Sequence, residues 1–335
     1  MKERLAMTPN HGPAFPRRRL LQASLLAGGA LSLASAGARG RTTDTVRLTW
    51  GYGGLTLLAK ERGVFAAALA EQGIKVEWLG PFPNHAPTMQ AVTGGSADFS
   101  FGGSTTPALA ALLAGAPLVF AQFLVYEPRT TAIIAKDGSG IDKVEDLVGK
   151  SVAVNRSGLG EFLLVAALEK HGIDRSKVRF VYLNPPDAGP ALAAGKVDAW
   201  AMWSPGVDIA RLQYGAHDVF VEGRDLDFQI DYTSYLVTRS FARNNPDLVR
   251  AVIAGLAQEA AWSETHPAES ELILQHAGRY DDAIREQFVR MHRRYRFYPP
   301  SDAHFVQQLQ DAADWLAKRH VLPERITVSE YLATL

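Results

Sequence analysis

The sequence contains no cysteine. Disulfides, thiolate metal sites, a thiol nucleophile and the lipidated cysteine of a bacterial lipoprotein are therefore all excluded. Net charge is lacking too, because 35 basic side chains meet 35 acidic ones over 335 residues. Binding a phosphate backbone leans on concentrated positive charge, so no nucleic acid partner is expected. No GxxxxGKS/T nucleotide loop occurs. Long apolar runs are missing with one exception, Leu20 to Ala36, which is diluted by serines and glycines and barely reaches the ~20 residues a membrane span requires. Pro16-Arg17-Arg18-Arg19 stands directly before that run, and Ala34-Ser35-Ala36 and Ala36-Gly37-Ala38 are A-x-A cleavage candidates. Residues 1–38 thus read as a twin-arginine export signal, with the mature chain beginning between Gly37 and Arg41 and a folded, unanchored protein in the periplasm.

What the chain does have is a repeated plan of strand, small-residue loop and helix, over a length that suits two domains or one large one. The clearest instance is Lys150 to Gly172. Val152 to Val154 reads as a buried strand, Asn155 to Gly160 as a Ser/Gly turn, and Phe162 to Leu168 as an apolar helix ended by Gly172. The helix start leaves unpaired N–H groups, so an anion fits over Ser157, Gly158 and Gly160. An ordinary βα connection has the same look and is the default for the loop alone.

The plan recurs before and after this stretch. Strands are expected at Val46–Trp50, Ile74–Leu79, Ala97–Phe101 and Leu118–Val125. Gly51 to Gly54 turns into a helix, and the prolines at 81 and 83 place Asn84 and His85 on a loop before a helix at Pro87–Thr93. Ser or Thr within Gly102 to Pro107 caps a helix at Thr106–Leu113. In an open parallel sheet these strand ends share the carboxyl edge, where ligands bind. After a break near Glu127-Pro128 the order repeats: strands at Thr131–Ala135, Val178–Leu183 and Val197–Trp203, a short helix at Ile141–Leu147, and helices capped by Asn184 and opened by Ser204-Pro205-Gly206. Such repetition argues for two similar lobes. Trp200 and Trp203 face opposite sides of a strand, so only one can line a cleft, and Trp203 at the strand end is favoured. Two core tryptophans are the alternative. Asp231 to Val237 reads as a strand, and helices follow near Asn245–Leu256, Glu269–Ala277, Asp281–Arg290 and Ser301–Ala317, as a tail returning to brace the first lobe. The basic run His292 to Arg296 is by default a solvated helix face, with partner docking as the alternative.

With these residues in view, the chain resembles periplasmic solute-binding proteins of the sulfonate, taurine and nitrate transporter type, in particular aliphatic sulfonate-binding proteins. The resemblance covers nearly the whole mature chain. It rests on Gly51-Tyr52, on Ala91 to Asp98, on Gly102 to Pro107 followed by Ala114-Gly115-Ala116, and most specifically on Gly149 to Val154 leading into Ser157-Gly158 and on Gly195 to Trp200. It implies an α/β fold, a two-lobed periplasmic binding protein (type II) with a cleft between lobes and a helical C-terminal tail. Lobe 1 is residues 39–125 plus 235–335 and lobe 2 residues 126–234, with crossovers near Phe123–Tyr126 and Tyr232–Leu236. The family's cleft residues map onto Tyr52 and Gly53, Asn84 and His85, Ser104 and Thr105, Ser157 and Gly158, and Trp203. The chain departs from the family at Trp203-Ser204-Pro205, where members often carry Trp-Asp-Pro, and this loss of a rim acid points to a more anionic or a different substrate.

The expected activity is binding, without catalysis, metal or cofactor, of a small anionic organic ligand such as an alkyl or aryl sulfonate. The protein would be a monomer and would deliver its ligand to an ABC transporter permease for sulfur acquisition. Helix-start amides and the Ser104, Thr105 and Ser157 hydroxyls hold the head, while Tyr52, Phe82 and Trp203 cover the organic part. Arg129 and Arg156 are near in sequence and are read as surface bystanders. Nitrate, taurine, or an uncharged or cationic heterocycle held by Glu161 or Asp187 are the alternatives within this fold. Two-lobed enzymes resembling it, the desulfinases and pyrimidine synthases, use a cysteine nucleophile or a cysteine-rich motif that is absent here. Other chemistry would need His85 with Asp187, which no spacing ties together.

Overall fold

The computed structural model describes residues 43–230 and 232–335, so the export signal expected at residues 1–38 lies outside the described residues, as does Asp231. Strand β1 (Thr45–Gly51) alternates buried and half-buried residues and pairs in parallel with β2 (Lys75–Phe82). Helices Leu55–Arg62 and Val64–Glu71 connect the two. β2 runs through Pro81, beyond the end expected from the prolines. It is an edge strand, and the ladder shifts register between Thr49 and Gly51, so a missing N–H there costs little. Residues 97–101 lie alongside β1 through the Leu48–Phe99 bridge but do not form a full strand. Asp98 fixes this register by accepting from the Arg47 backbone N–H at 2.8 Å and from its guanidinium at 2.7 and 3.0 Å. β3 (Gly103–Ser104) follows, then the helix Thr105–Leu113 and β4 (Leu118–Glu127).

A second sheet is built from β5 (Ala132–Lys136), β6 (Ser151–Val154), β7 (Arg179–Tyr182), β8 (Ala199–Met202) and β9 (Ala216–Val221), in the order β7-β6-β8-β5-β9. Only β6 pairs in parallel, with β7 and β8, whereas β5 is antiparallel to both of its neighbours. The expectation of an open parallel sheet is corrected on this point, because β5 enters directly from β4 instead of after a crossover helix. The helix expected at Ile141–Leu147 is a single 3-10 turn, Val144–Leu147.

β10 (Thr233–Thr238) returns beside β4, and β11 (Arg294–Tyr298) covers the other side of β4, giving an antiparallel sheet in the order β11-β4-β10-β3. The basic run His292 to Arg296 is therefore largely strand, not helix. Arg293 forms a paired bridge to Glu271, and Arg294 and Arg296 reach Glu127 at 3.4 and 3.3 Å. Of the tail helices, Pro246–Thr265 sends Leu248, Val252 and Leu256, spaced four apart, into a core shared with Leu55, Leu58 and Phe99. The tail also grips the second sheet. Helix Asp282–Met291 packs Ile284 and Phe288 around Ile209, and helix Ala303–Lys318 sets Trp315 5.1 Å from Phe162. A single apolar cluster joins Leu109, Phe123 and Phe305 to Leu163 and Val152, so the two lobes share buried surface.

Candidate functional site

At the end of β2, Asn84 accepts from the Ala86 N–H at 3.2 Å and caps the helix His85–Thr93. His85 is thus the first helical residue and not part of a loop. It is 3% exposed, its Nδ1 lies 2.8 Å from the Ser104 carbonyl, and its Nε2 lies 3.0 Å from Ser100 Oγ. Ser100 Oγ in turn accepts from the Leu236 N–H at 2.9 Å. Burial lowers the His85 pKa to about 4, so the ring is neutral near pH 7. His85 ties the ends of β2, residues 97–101 and β10 together. Asp187, the partner an enzymatic alternative would need for His85, is exposed and stands on the helix Pro185–Ala193.

The next turn carries Ser104 and Thr105. The helix starts at Thr105, one residue before the expected Thr106, and Ser104 at its cap position makes no capping bond, so the Ser or Thr cap expected within Gly102 to Pro107 is not formed there. Instead, β3 is held against β10 by Thr233–Ser104 pairing, and the Thr105 N–H donates to the Tyr232 carbonyl at 2.6 Å. Ser104 Oγ, Thr105 Oγ1, Ser234 Oγ and Tyr235 OH are all buried without a hydrogen-bond partner. Ser234 and Tyr235 were not among the residues singled out from the sequence, although consecutive hydroxyl residues inside an apolar strand are a signal. Gly102 lets this layer close, since a Cβ there would lie 2.7 Å from the Tyr235 ring.

The helix start at residue 159 behaves differently. The Ser157 N–H donates to Glu161 at 2.7 Å, the Gly158 N–H to the Asn155 carbonyl at 3.1 Å, and the Gly160 N–H to Asn155 Oδ1 at 3.1 Å. Amides expected to receive an anion at Ser157, Gly158 and Gly160 are thus already engaged. Glu161 is buried and also accepts from Arg175 at 2.5 Å and from Tyr182 OH at 2.9 Å, while Arg156 stacks 3.6 Å over the Tyr182 ring. The glycines serve close packing: a Cβ at residue 158 would strike the Asn155 amide at 1.6 Å, and one at residue 160 the Ala201 carbonyl at 2.4 Å.

Trp200 is buried in the core of the second sheet, and Trp203 follows β8, half-buried and packed on the edge of that core. Ser204 Oγ lies 2.9 Å from Thr130 Oγ1 and donates to Asp208 Oδ2 at 2.5 Å. Asp208 is fully buried and also accepts from Arg211 at 3.0 Å and from Gln287 at 2.9 Å. The acid missing at residue 204 thus has a counterpart one turn on, but there it is neutralised within the fold.

Of the residues read as a cleft, His85, Ser104 and Thr105 form one contiguous cluster. Asn84 Nδ2 reaches Asn184 Oδ1 at 3.0 Å, which sets the ends of β2 and β7 face to face. Asn184 was expected to cap its helix, but its side chain makes this contact instead. Tyr52 is 52% exposed, and Gly53 is exposed with open space around it. Among the described residues, no hydrogen bond or ring contact joins Ser157, Gly158 or Trp203 to the first cluster. Arg129 donates to the Phe228 carbonyl at 3.2 Å. Among the described residues no group of His, Asp or Glu is placed to hold a metal ion, and no helix is long and apolar enough to cross a membrane.

A protein of Escherichia coli (strain K12) named for aliphatic sulfonates binding is 28% identical over 256 residues, covering 76% of this chain and 78% of its own. The alkanesulfonate-binding protein SsuA from Xanthomonas axonopodis pv. citri, solved bound to MOPS, superposes with a TM-score of 0.79 at 26% identity, covering 87% of this chain and 98% of that one. The desulfurization enzyme DSZB shares the fold alone, at a TM-score of 0.64 and 18% identity, over 87% of this chain and 96% of its own. The family described as NMT1/THI5 like matches residues 54–270, and with two α/β lobes and a helical tail the chain belongs to that family.

Proposed function

We propose that the chain is the extracytoplasmic solute-binding component of an ABC importer, taking a small organic sulfonate between its lobes for sulfur acquisition and delivering it to the importer's permease. In this reading lobe 1 comprises residues 39–125 plus 235–335 and lobe 2 residues 126–234. The protein works as a periplasmic monomer exported by residues 1–38. The names of its relatives support the ligand class. The observation that carries anion binding is the pair of buried hydroxyls, Ser104 Oγ and Thr105 Oγ1, without a protein partner at the start of a nine-residue helix. A buried polar group left unpaired costs about 1–3 kcal/mol, and an arriving acceptor recovers that cost while the helix dipole adds to it. The sulfonate head therefore sits against residues 104 and 105, and Tyr52, Asn84 and Trp203 close over the rest. Ser157 contributes its hydroxyl and not its amide.

Catalysis has no part in this reading. DSZB indicates that the fold does not by itself forbid chemistry. Here, however, His85 is buried with its two ring nitrogens held by the Ser104 carbonyl and Ser100 Oγ, Asp187 stands apart, and the chain holds no cysteine. The test is thermal denaturation with a panel of alkyl and aryl sulfonates, taurine and nitrate. A ligand at 100 times its Kd raises stability by about 2.7 kcal/mol, and this gain is expected to shrink in S104A/T105V. The absence of a shift with every compound refutes the reading.

A further inference from the structure

A cavity of about 510 Å³ opens beside the crossover, on the side of β4 away from β10, and none of the cleft residues lines it. β3 and β11 are opposite edges of the sheet β11-β4-β10-β3, so Ser104 and Arg294 are separated by three strand spacings, about 14 Å across the sheet, and by a further three residues along the strands. Its apolar wall is Val125, Pro128 and Met291. The polar wall brings Arg129, His292 and Arg294 together against one acid, Glu127. Both arginines are only loosely committed. Arg294 stands 3.4 Å from Glu127, and Arg129 is 3.6 Å from Glu222 with one donor on the Phe228 carbonyl. Each planar guanidinium has five N–H donors, so each keeps several for an acceptor in the cavity.

We infer that this hinge cavity is a second binding site, for a small organic anion whose charged group is held by Arg129 and Arg294 and whose carbon skeleton lies on Val125, Pro128 and Met291. The volume lies within the range of small-molecule sites, and the lining is mixed, five polar or charged residues to three apolar ones. A bare inorganic oxyanion leaves the apolar wall uncovered and binds less tightly. The site joins residues 125–129, at and just after the first crossover, and residue 229, just ahead of the second, to the tail at 291–294, so its occupant touches all three segments.

Isothermal titration with 1-butanesulfonate tests this, with sodium sulfate as the control. The wild type is expected to show two classes of site, R129A/R294A to weaken one of them at least tenfold, and S104A/T105V to weaken the other. Sulfate is expected to occupy the hinge class at least tenfold more weakly than 1-butanesulfonate. If R129A/R294A fails to fold, wild-type crystals with 2-bromoethanesulfonate decide, through an anomalous bromine peak between Val125 and Met291. A single class insensitive to R129A/R294A, or no such peak, overturns the hinge site. A single class lost in R129A/R294A and kept in S104A/T105V upholds the hinge site and overturns the cleft reading.

Discussion

Two helix starts in this molecule follow the same plan and end in opposite chemical states. At Leu159 the loop saturates itself, because Asn155 and Glu161 take the amides of residues 157, 158 and 160. At Thr105 the hydroxyls of residues 104 and 105 are buried with no partner, beside two more from Ser234 and Tyr235. A small-residue loop before a helix is therefore not an anion site in itself. What matters is whether the fold leaves polar atoms over after its own bonds are made. The side-chain carboxylate at the third helical position decides the first case, as in a capping box, and no such residue returns to the second.

Removing the histidine that anchors the open start has the largest expected effect. His85 is depressed from 6.5 to about 4 in the folded protein, so the unfolded chain binds the extra proton between those values. Stability is therefore full above pH 6.5 and falls as pH drops toward 4, by roughly 3 kcal/mol from this group. Denaturant unfolding of H85N across that window is expected to lose this slope, and an unchanged slope breaks the assignment. At the closed start, E161A strips a buried acceptor from the Ser157 N–H, Arg175 and Tyr182, and is expected to destabilise by about 2 kcal/mol in urea titration with little change in ligand affinity. For the open start the order reverses. S104A/T105V is expected to lower affinity roughly tenfold, about 1.4 kcal/mol, without lowering stability, because apolar atoms replace unpaired polar ones. S157A is expected to cost less in the same titration, and equal losses would blur the contrast. The smallest effect belongs to N184A, which removes one exposed amide contact and is expected to change affinity by under about 1 kcal/mol.

Much of this architecture is legible in residue order. β1, β4 and the helix Pro246–Thr265 follow from alternation, a continuous apolar run and four-residue spacing, whereas the helix read at Pro87–Thr93 begins two residues earlier, at His85, with Asn84 as its cap. β9 is hidden because His217 and Asp218 interrupt its apolar pattern, and those side chains are satisfied by Asp137, 80 residues away, and by Arg211, 7 residues before. β11 does alternate, Tyr295 and Phe297 against Arg294 and Arg296, but clustered charge masks the period, and the strand forms because Glu127 and Glu264 stand opposite. The candidate site is legible in residue type more than in state. Nothing local says that His85 turns inward to Ser104 and Ser100, which depends on what the third dimension brings near, whereas Glu161 folding back on Ser157 is a local capping pattern with a readable spacing.

The tail grips the second lobe on separate flanks. Gln287 reaches Asp208 and Gln213 reaches Asp281, while elsewhere Trp315 lies on Phe162 and Arg319 is paired with Glu169. A jaw stitched at both cheeks to one strap cannot gape by flexing at its joint alone. Either the stitches come undone or the strap travels with the moving half, so the width of the mouth is governed as much by residues 281–319 as by the crossovers themselves.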